Sequence, residues 1–162
     1  MNWEEFSAAV PELAELAETR LRKDELCLLG TLRMDGSPRI SPCEIDFAAG
    51  RLFLGMRWRS KKALDLLRDP RIVVHSVPSD KTNPGGDVKL YGRAIEELER
   101  DVRRAFQDAI RARIDWEPRE PNYHVFSLDV ESASYVRFAD DPTILVWDGV
   151  RGLHSMPFPD VE

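Results

Sequence analysis

Three short segments with strand character follow one another early in the chain, with only tight turns between them. Residues 26–32 form an apolar run, and Asp35-Gly36 then supplies a hairpin turn. Residues 38–47 alternate, so that every second side chain shares one face, and residues 51–56 follow a turn at residues 48–50. This spacing predicts three consecutive antiparallel strands.

Helical periodicity is strongest near the start of the chain. Residues 3–22 carry apolar side chains at three- and four-residue intervals, with Asn2 and Glu5 placed as the N-cap and N3 residues. Pro11 is predicted to kink or restart this helix, because proline cannot donate the backbone hydrogen bond of a helix interior. Two further helices are predicted, over residues 60–67 and 99–114.

The remaining strand signals indicate the overall architecture. They lie at residues 72–77, 88–91, 124–130, 134–138 and 143–147. About seven short strands with three helical segments predict a mainly β fold with α: a closed antiparallel barrel over about residues 26–149, with helices on its rim and the helix of residues 99–114 inserted. Residues 1–162 are expected to form a single domain. The polar residues 78–87 form a predicted loop, a candidate lid or cleft edge.

Charge and cysteine content argue against several functions. The chain of 162 residues carries 23 Lys and Arg against 29 Asp and Glu, a formal charge of −6, whereas a general nucleic-acid binder is expected to present a basic face. Cys27 and Cys43 form no CxxC pair and the three histidines lack ligand-like spacing, so no metal site is predicted. No apolar run approaches the ~18 residues of a membrane span, and the N-terminus is acidic. We therefore expect a reduced, cytoplasmic protein without membrane or nucleic-acid partners.

One basic run stands out in this acidic chain. Arg57-Trp58-Arg59-Ser60-Lys61-Lys62 leads into the predicted helix of residues 60–67, with Ser60 as its N-cap. A helix N-terminus is already partly positive, so cations there cost about 0.3–1 kcal/mol each unless an anion compensates. A bound phosphate would remove the conflict, because backbone N–H groups and side chains would converge on it. A solvated basic turn is the alternative, and the charge conflict favours the anion site.

Single residues elsewhere give weaker signals. Arg39 shares a predicted strand face with apolar residues, so it requires an anionic partner or a strand-end position. Lys89 lies in an alternating strand pattern, and we favour an exposed position for its side chain. For Cys43 we favour a position in the core. Trp147, at a strand end, fits either a core filler or a ring that stacks on a planar ligand. The common fingerprints of hydrolases, metalloproteases and nucleotide-binding proteins are missing.

Four motifs in a fixed order resemble a known family. They are GTLRMDGSPRISP at residues 30–42, GRLFLG at residues 50–55, SKKA at residues 60–63 and DPR at residues 69–71. Together they resemble the pyridoxamine 5′-phosphate oxidase-like family of flavin-binding split barrels, most strongly over about residues 26–98. The resemblance implies a six-stranded antiparallel Greek-key split barrel, a homodimer, and flavin mononucleotide (FMN) held in two equivalent clefts at the dimer interface.

The resemblance also implies which residues hold the cofactor. The strand of residues 39–44 resembles the family segment that lines the flavin and contacts its phosphate, Gly55 and Met56 match the strand end beside the ring, and Ser60, Lys61 and Lys62 match the phosphate-gripping residues. The complete predicted cofactor-binding set is Arg39, Ile40, Ser41, Pro42, Cys43, Gly55, Met56, Arg57, Ser60, Lys61, Lys62, Lys89 and Trp147.

Three departures separate this chain from the true oxidase. Glu44 stands where the oxidase has a lysine that meets the substrate phosphate, Gly152 stands at an arginine position, and Asp87 at a glutamine position. The predicted function is therefore FMN-dependent oxidoreduction of an unknown small molecule. The alternatives are a deazaflavin-dependent reductase of the same fold, a non-catalytic flavin or haem binder, and a structural dimer that binds an anion.

Overall fold

The strands form one continuous antiparallel sheet that closes on itself. The computed structural model describes residues 1–78, 81, 84–138 and 141–158. Its strands within these ranges are β1 (Leu26–Leu32), β2 (Pro38–Ala48), β3 (Arg51–Arg57), β4 (Arg71–Ser76), β5 (Asp87–Glu96), β6 (Tyr123–Arg137), β7 (Thr143–Asp148) and β8 (Gly152–Ser155). They are ordered β3-β2-β1-β4-β5-β6-β7-β8, and β3 also pairs with β6. That extra pairing closes β1 to β6 into the predicted six-stranded barrel, with β7 and β8 as an extension.

Four helices flank this sheet in the described part of the chain: α1 (Trp3–Ala9), α2 (Pro11–Asp24), α3 (Lys61–Arg68) and α4 (Arg100–Ile114). The predicted helix of residues 3–22 is two helices, because Pro11 occupies the first position of a new one. Asn2 and Glu5 form the predicted capping box. Both N-terminal helices bury their apolar face against the barrel, where the Phe6 ring lies 5.2 Å from that of Trp147.

The strand β6 differs from the prediction. Residues 124–130 and 134–138 were expected to form two strands, but they form one strand of 15 residues. The register shifts between Tyr91 and Gly92, where Glu131 has no residue opposite it. A Cβ at Gly92 would overlap the carbonyl oxygen of Asp129, so glycine is required at this bulge. The bulge separates the first half of β6, which pairs with β3, from the second half, which pairs with β7.

The helices α3 and α4 occupy different parts of the barrel surface. α3 packs on β1 and β3, and its Ala63 and Leu66 join the main core. α4 lies over the outer face of β2 and β3, where Phe106 and Ile110 form a second, smaller core with residues of β3 and β6. The two helices therefore border the same end of β3 from two directions.

Positions 79, 80, 82 and 83 of the predicted loop of residues 78–87 lie outside the described residues. The prediction that this loop is a lid or cleft edge therefore also lies outside them. Among the helices that the structure describes, none combines the length and the apolar character that crossing a membrane requires.

Candidate functional site

The turn between β3 and α3 presents an uncapped helix N-terminus surrounded by positive charge. Ser60 is the N-cap residue, but its hydroxyl caps no backbone N–H, and no acidic residue lies in the first helical turn. The Ser60 Oγ is buried and has no hydrogen-bond partner among the described residues. An N-terminus with these properties has unused donors for an anion.

The cations of this turn have almost no protein partners. Within the described ranges, Arg57, Arg59 and Lys61 form no ion pair, and all three are exposed. The Lys62 ammonium donates to the carbonyl oxygen of Pro42, which ties α3 to β2. Their charge therefore adds to the positive end of the helix without compensation, as the sequence predicts.

Arg39 has the anionic partner that its strand position requires. Its Nε donates to Asp65 Oδ2 over 2.6 Å, and the same carboxylate accepts hydrogen bonds from Thr31 at 3.0 Å and Arg68 at 3.3 Å. Burial by itself would raise the pKa of Asp65, but these hydrogen bonds hold it below its ordinary value. Arg39 therefore joins β2 to α3, and much of its charge is neutralised within the protein.

Several residues predicted to contact the flavin ring have buried side chains on the barrel interior, and their contact with the ring stays a prediction. The side chains of Cys43 and Met56 are only 3% and 4% exposed and belong to the main core. Ser41 points to the same side of β2 as Cys43 and is half-buried. On the outer face of β2, by contrast, Ile40, Pro42 and Glu44 are exposed.

The two cysteines are buried thiols. Burial raises the pKa of Cys43 to about 11, and its Sγ lies 3.2 Å from the Gly55 carbonyl oxygen. Burial also raises the pKa of Cys27, directly opposite on β1. Neither thiol has the thiolate character of a nucleophile. Within the described residues, no three His, Cys, Asp or Glu side chains are placed to hold a metal ion.

The outer face of β3 at Gly55 is covered by helix α4. A Cβ at Gly55 would lie 2.6 Å from Cζ of Phe106, so the missing side chain is what lets the ring pack against the strand. Next to this contact is a cavity of about 570 Å³, a size typical of small-ligand sites. Its walls are formed by Glu44, Gly55, Met56, Arg57, Phe106, Ile110, Trp116, Glu117, Pro118, Arg119, Asn122 and Tyr123.

Most of the residues that line this cavity are absent from the predicted site, because the sequence analysis assigns residues 99–114 only to an inserted helix. The one local signal is the segment after α4, where exposed Trp116 stands among prolines and charged residues. An exposed tryptophan in a polar, proline-containing loop is unusual enough to indicate a binding surface. The helix itself shows no such signal, because Phe106 and Ile110 have ordinary core spacing.

The two carboxylates in the cavity wall are paired with arginines of α4. Arg113 contacts Glu44 at 3.3 Å, together with Glu25 at 3.0 Å and Asp46 at 2.9 Å. Arg111 pairs with Glu117. The arginines in the wall, Arg57 and Arg119, form no ion pair within the described residues. Because Arg113 is shared by three carboxylates, Arg57 and Arg119 are the cavity's unpaired cations but do not give it a clear excess of positive charge.

Two predicted residues lie away from the basic turn within one chain. Lys89 is on β5, opposite His75 and Ser134, and the strands β1 and β4 separate β5 from β2. Trp147 is 5% exposed and packs against Phe6 in the main core. Their assignment to the cofactor stays a prediction, whereas residues 55–62 lie together at the end of β3.

The amino-acid sequence of this barrel matches the model of a known family. Residues 13–137 match the family model described as pyridoxamine 5′-phosphate oxidase. The chain belongs to this family. No curated protein is significantly similar to it in sequence.

Several solved structures share the fold at low sequence identity. A haem-binding protein from Mycobacterium smegmatis superposes with a TM-score of 0.65 at 23% identity; the match covers 83% of this chain but only 57% of that protein. A protein from Clostridium acetobutylicum, related to general stress protein 26 of Bacillus subtilis, superposes with a TM-score of 0.63 at 16% identity. The match covers 83% of this chain and 94% of that protein. A NimC/NimA family protein from C. acetobutylicum superposes with a TM-score of 0.69 at 14% identity. The match covers 88% of this chain and 97% of that protein.

Proposed function

We propose that this protein binds FMN and acts as an FMN-dependent oxidoreductase on a small molecule. The observation that carries the proposal is the uncompensated positive charge at the N-terminus of α3. When bound, the flavin supplies hydride or electron transfer, and the protein supplies binding, orientation and electrostatics. The buried thiols and the absence of classical catalytic motifs are consistent with such a division of roles.

The residues of the turn suit a phosphate monoester. The Ser60 hydroxyl and the first N–H groups of α3 are donors without partners in the described residues, and Arg57, Lys61 and Lys62 supply the charge. Arg39 contributes less than the family resemblance implies, because Asp65 already holds its guanidinium. We therefore assign the phosphate mainly to the turn and the start of the helix.

The cavity beside Arg57 is the proposed place for the second reactant. It is mainly apolar, and Phe106, Trp116 and Tyr123 give it aromatic walls. Arg57 and Arg119, which form no ion pair within the described residues, are the side chains that an anionic group of the reactant would contact. The repulsion expected from Glu44 toward such a reactant is reduced by Arg113.

The proposal is tested first by the visible absorption spectrum of the freshly purified protein, followed by FMN titration of the wild type and of Lys61→Ala/Lys62→Ala. We expect a bound-flavin spectrum, and a dissociation constant for FMN at least about tenfold higher in the double variant, because two charge-assisted contacts are lost. Lys23→Ala/Arg93→Ala removes the same charge at two exposed positions outside the turn and is expected to bind FMN like the wild type.

Two outcomes would contradict the proposal. Failure of the wild type to bind FMN would exclude the flavin assignment. An equal loss of FMN affinity in both double variants would show that total charge, rather than the turn, determines the affinity. Reduction of the bound flavin by a nicotinamide donor then separates an enzyme from a carrier, since a carrier is expected to be reduced slowly.

The resemblance to a haem-binding protein supports a second candidate, a non-catalytic binder of haem or flavin. Titration with haemin and with the deazaflavin cofactor, alongside FMN, distinguishes the candidates by their spectra. We also propose, from the family resemblance, that the protein is a cytoplasmic homodimer with the cofactor at the interface.

A further inference from the structure

Two free thiols lie directly opposite each other inside the barrel. Cys27 of β1 pairs with Cys43 of β2, and the two residues are 0% and 3% exposed. The Cys27 thiol crosses the strand pair and lies 3.5 Å from the backbone carbonyl oxygen of Cys43, its partner 16 positions along the chain. Both side chains therefore enter the same part of the barrel interior.

The register of the two strands sets the distance between these residues. The backbone N–H of Ile45 donates to the carbonyl oxygen of Glu25 over 3.3 Å. Pro42 has no N–H and occupies the non-hydrogen-bonded position next to Cys43. Because the two kinds of pair alternate along antiparallel strands, Cys27 and Cys43 form a hydrogen-bonded pair, with Cα atoms about 5.5 Å apart. Disulfides join residues whose Cα atoms are about 4.4–6.8 Å apart, so the backbone already suits such a bond.

Closing the bond requires small movements of the side chains. Opposite Cβ atoms of a strand pair are about 4.5–5.5 Å apart, and a disulfide joins Cβ atoms about 3.5–4.5 Å apart, so the two must approach by about 1 Å. The Cys43 thiol must also leave its present acceptor, the Gly55 carbonyl oxygen 3.2 Å away. A bond formed against such resistance is reduced more easily than a relaxed one.

The position of Lys62 makes Cys43 the first thiol to react. Burial raises the pKa of Cys43 to about 11, and the half-buried Lys62 ammonium opposes this rise by its charge and by hydrogen bonding. Cys27 is completely buried, and its pKa is raised by that burial and by the charge of Cys43. Because the thiolate is the reactive form, the reaction is slow at neutral pH and faster in base.

We propose that Cys27 and Cys43 form a redox modification site, which hydrogen peroxide closes to a disulfide within one chain. The Cys43 thiolate attacks one peroxide oxygen, the O–O bond breaks, and the released hydroxide takes up the proton that the thiol lost. The resulting sulfenic acid of Cys43 is attacked by the Cys27 sulfur, so that the S–S bond forms and the S–O bond breaks with loss of a second water. Two thiols thus lose two protons and two electrons, and the peroxide is reduced to water. The site is independent of the proposed function.

The proposal is tested on the folded wild-type protein, incubated with hydrogen peroxide at pH 7, 8 and 9. Free thiols are counted after denaturation, and the linked peptides are identified by mass spectrometry. We expect both thiols to disappear together, one peptide pair joined through positions 27 and 43, and full recovery with dithiothreitol. The rate is expected to rise about tenfold per pH unit, because the pKa of Cys43 lies above this range.

Three variants test the order of the steps. Cys27→Ala is expected to stop at the sulfenic acid of Cys43, which dimedone traps, whereas Cys43→Ala is expected to keep Cys27 as a thiol. Lys62→Ala is expected to slow the oxidation by about threefold or more. Lys23→Ala removes an exposed lysine at the end of α2 and is the control, with an unchanged rate.

The wild-type result decides the proposal even where a variant fails to fold. Two free thiols left at pH 9, or oxidation only in urea, would overturn it. A disulfide between two chains, or a wild-type Cys43 that proceeds to the sulfinic acid, would also overturn it, because Cys27 would then not be the resolving thiol. An unchanged rate in Lys62→Ala would overturn the role of Lys62 in the order of reaction.

Discussion

At the scale of single residues, the structure depends strongly on one buried carboxylate. Asp65 is only 4% exposed, and it joins three elements: β1 through Thr31, β2 through Arg39, and the end of its own helix through Arg68. Because the carboxylate is charged and fully hydrogen-bonded, its loss would leave Arg39 without its anionic partner. This residue therefore fixes the position of α3, and with it the basic turn.

We predict that Asp65→Asn lowers the free energy of unfolding by about 2 kcal/mol at pH 7. The pKa of Asp65 is lowered in the folded protein, so the stabilisation is present above the ordinary carboxyl range and is lost as the pH falls through the folded pKa. Urea denaturation at pH 7 and at about pH 3 should show the difference between wild type and variant shrinking in acid. Asp108→Asn, in an exposed ion pair with Arg104, is the control and should change stability by less than about 0.5 kcal/mol.

A pH-independent difference for Asp65→Asn would contradict this role, because it would show that packing rather than the charge of the carboxylate stabilises the junction.

At the scale of elements, helix α3 combines the proposed binding role with a local instability. Its first turn contains Lys61 and Lys62 and no acidic residue, the reverse of the arrangement that the helix dipole favours. Without an anion, the helix start is therefore less stable than its sequence could make it. A site selected for binding commonly shows such a conflict between stability and function.

We predict that Lys61→Glu raises the stability of the ligand-free protein by about 0.5–1 kcal/mol and weakens FMN binding. The melting temperature without ligand should rise by about 2 °C, and the further rise on adding FMN should be smaller than in the wild type. Differential scanning calorimetry with and without FMN measures both changes. A variant that loses stability without ligand would contradict the dipole argument, and one that keeps the full FMN shift would contradict the site.

At the scale of the whole molecule, the exposed apolar residues of β2 suit the proposed dimer. Ile40 is 75% exposed on the outer face of β2, beside exposed Pro42 and near the basic turn. Ile40 and Pro42 are neighbours on one face of β2, and such adjacent exposed apolar side chains suit a surface that another chain covers. A second copy placed here would also bring its own residues toward the cofactor, which would complete a site that one chain leaves open.

We predict that Ile40→Asp converts a dimer into a monomer, because it places a charge in an apolar interface. Sedimentation velocity over a range of protein concentrations measures the change. Val150→Asp is the control, because Val150 is 95% exposed in the turn between β7 and β8 and is expected to leave the dimer intact. A monomeric wild type, or equal dissociation of both variants, would contradict the assignment of β2 to the interface.

Features that depend on neighbouring residues could be predicted from the sequence. The Asn2–Glu5 capping box, the helix start at Pro11, the hairpin after β1 and the basic start of α3 each follow from residues a few positions apart. The motifs of residues 30–71 indicated the family, and the family resemblance implied the six-stranded barrel. The local prediction failed at β6, because a polar stretch that resembles a turn is accommodated as a bulge once Gly92 of β5 lies opposite it.

The sequence by itself therefore determined most of the strands, the positions of the helices, the family and the charge of the turn between β3 and α3, because these depend on local propensity and short-range order. Only the tertiary structure decided that Asp65 is the partner of Arg39, that Phe106 covers Gly55, and that His124 stacks on Trp58. Each of these contacts joins residues far apart in the chain. Closure of the barrel by β3 and β6 and the packing of α3 and α4 bring such residues together, and local sequence patterns do not encode which of them meet.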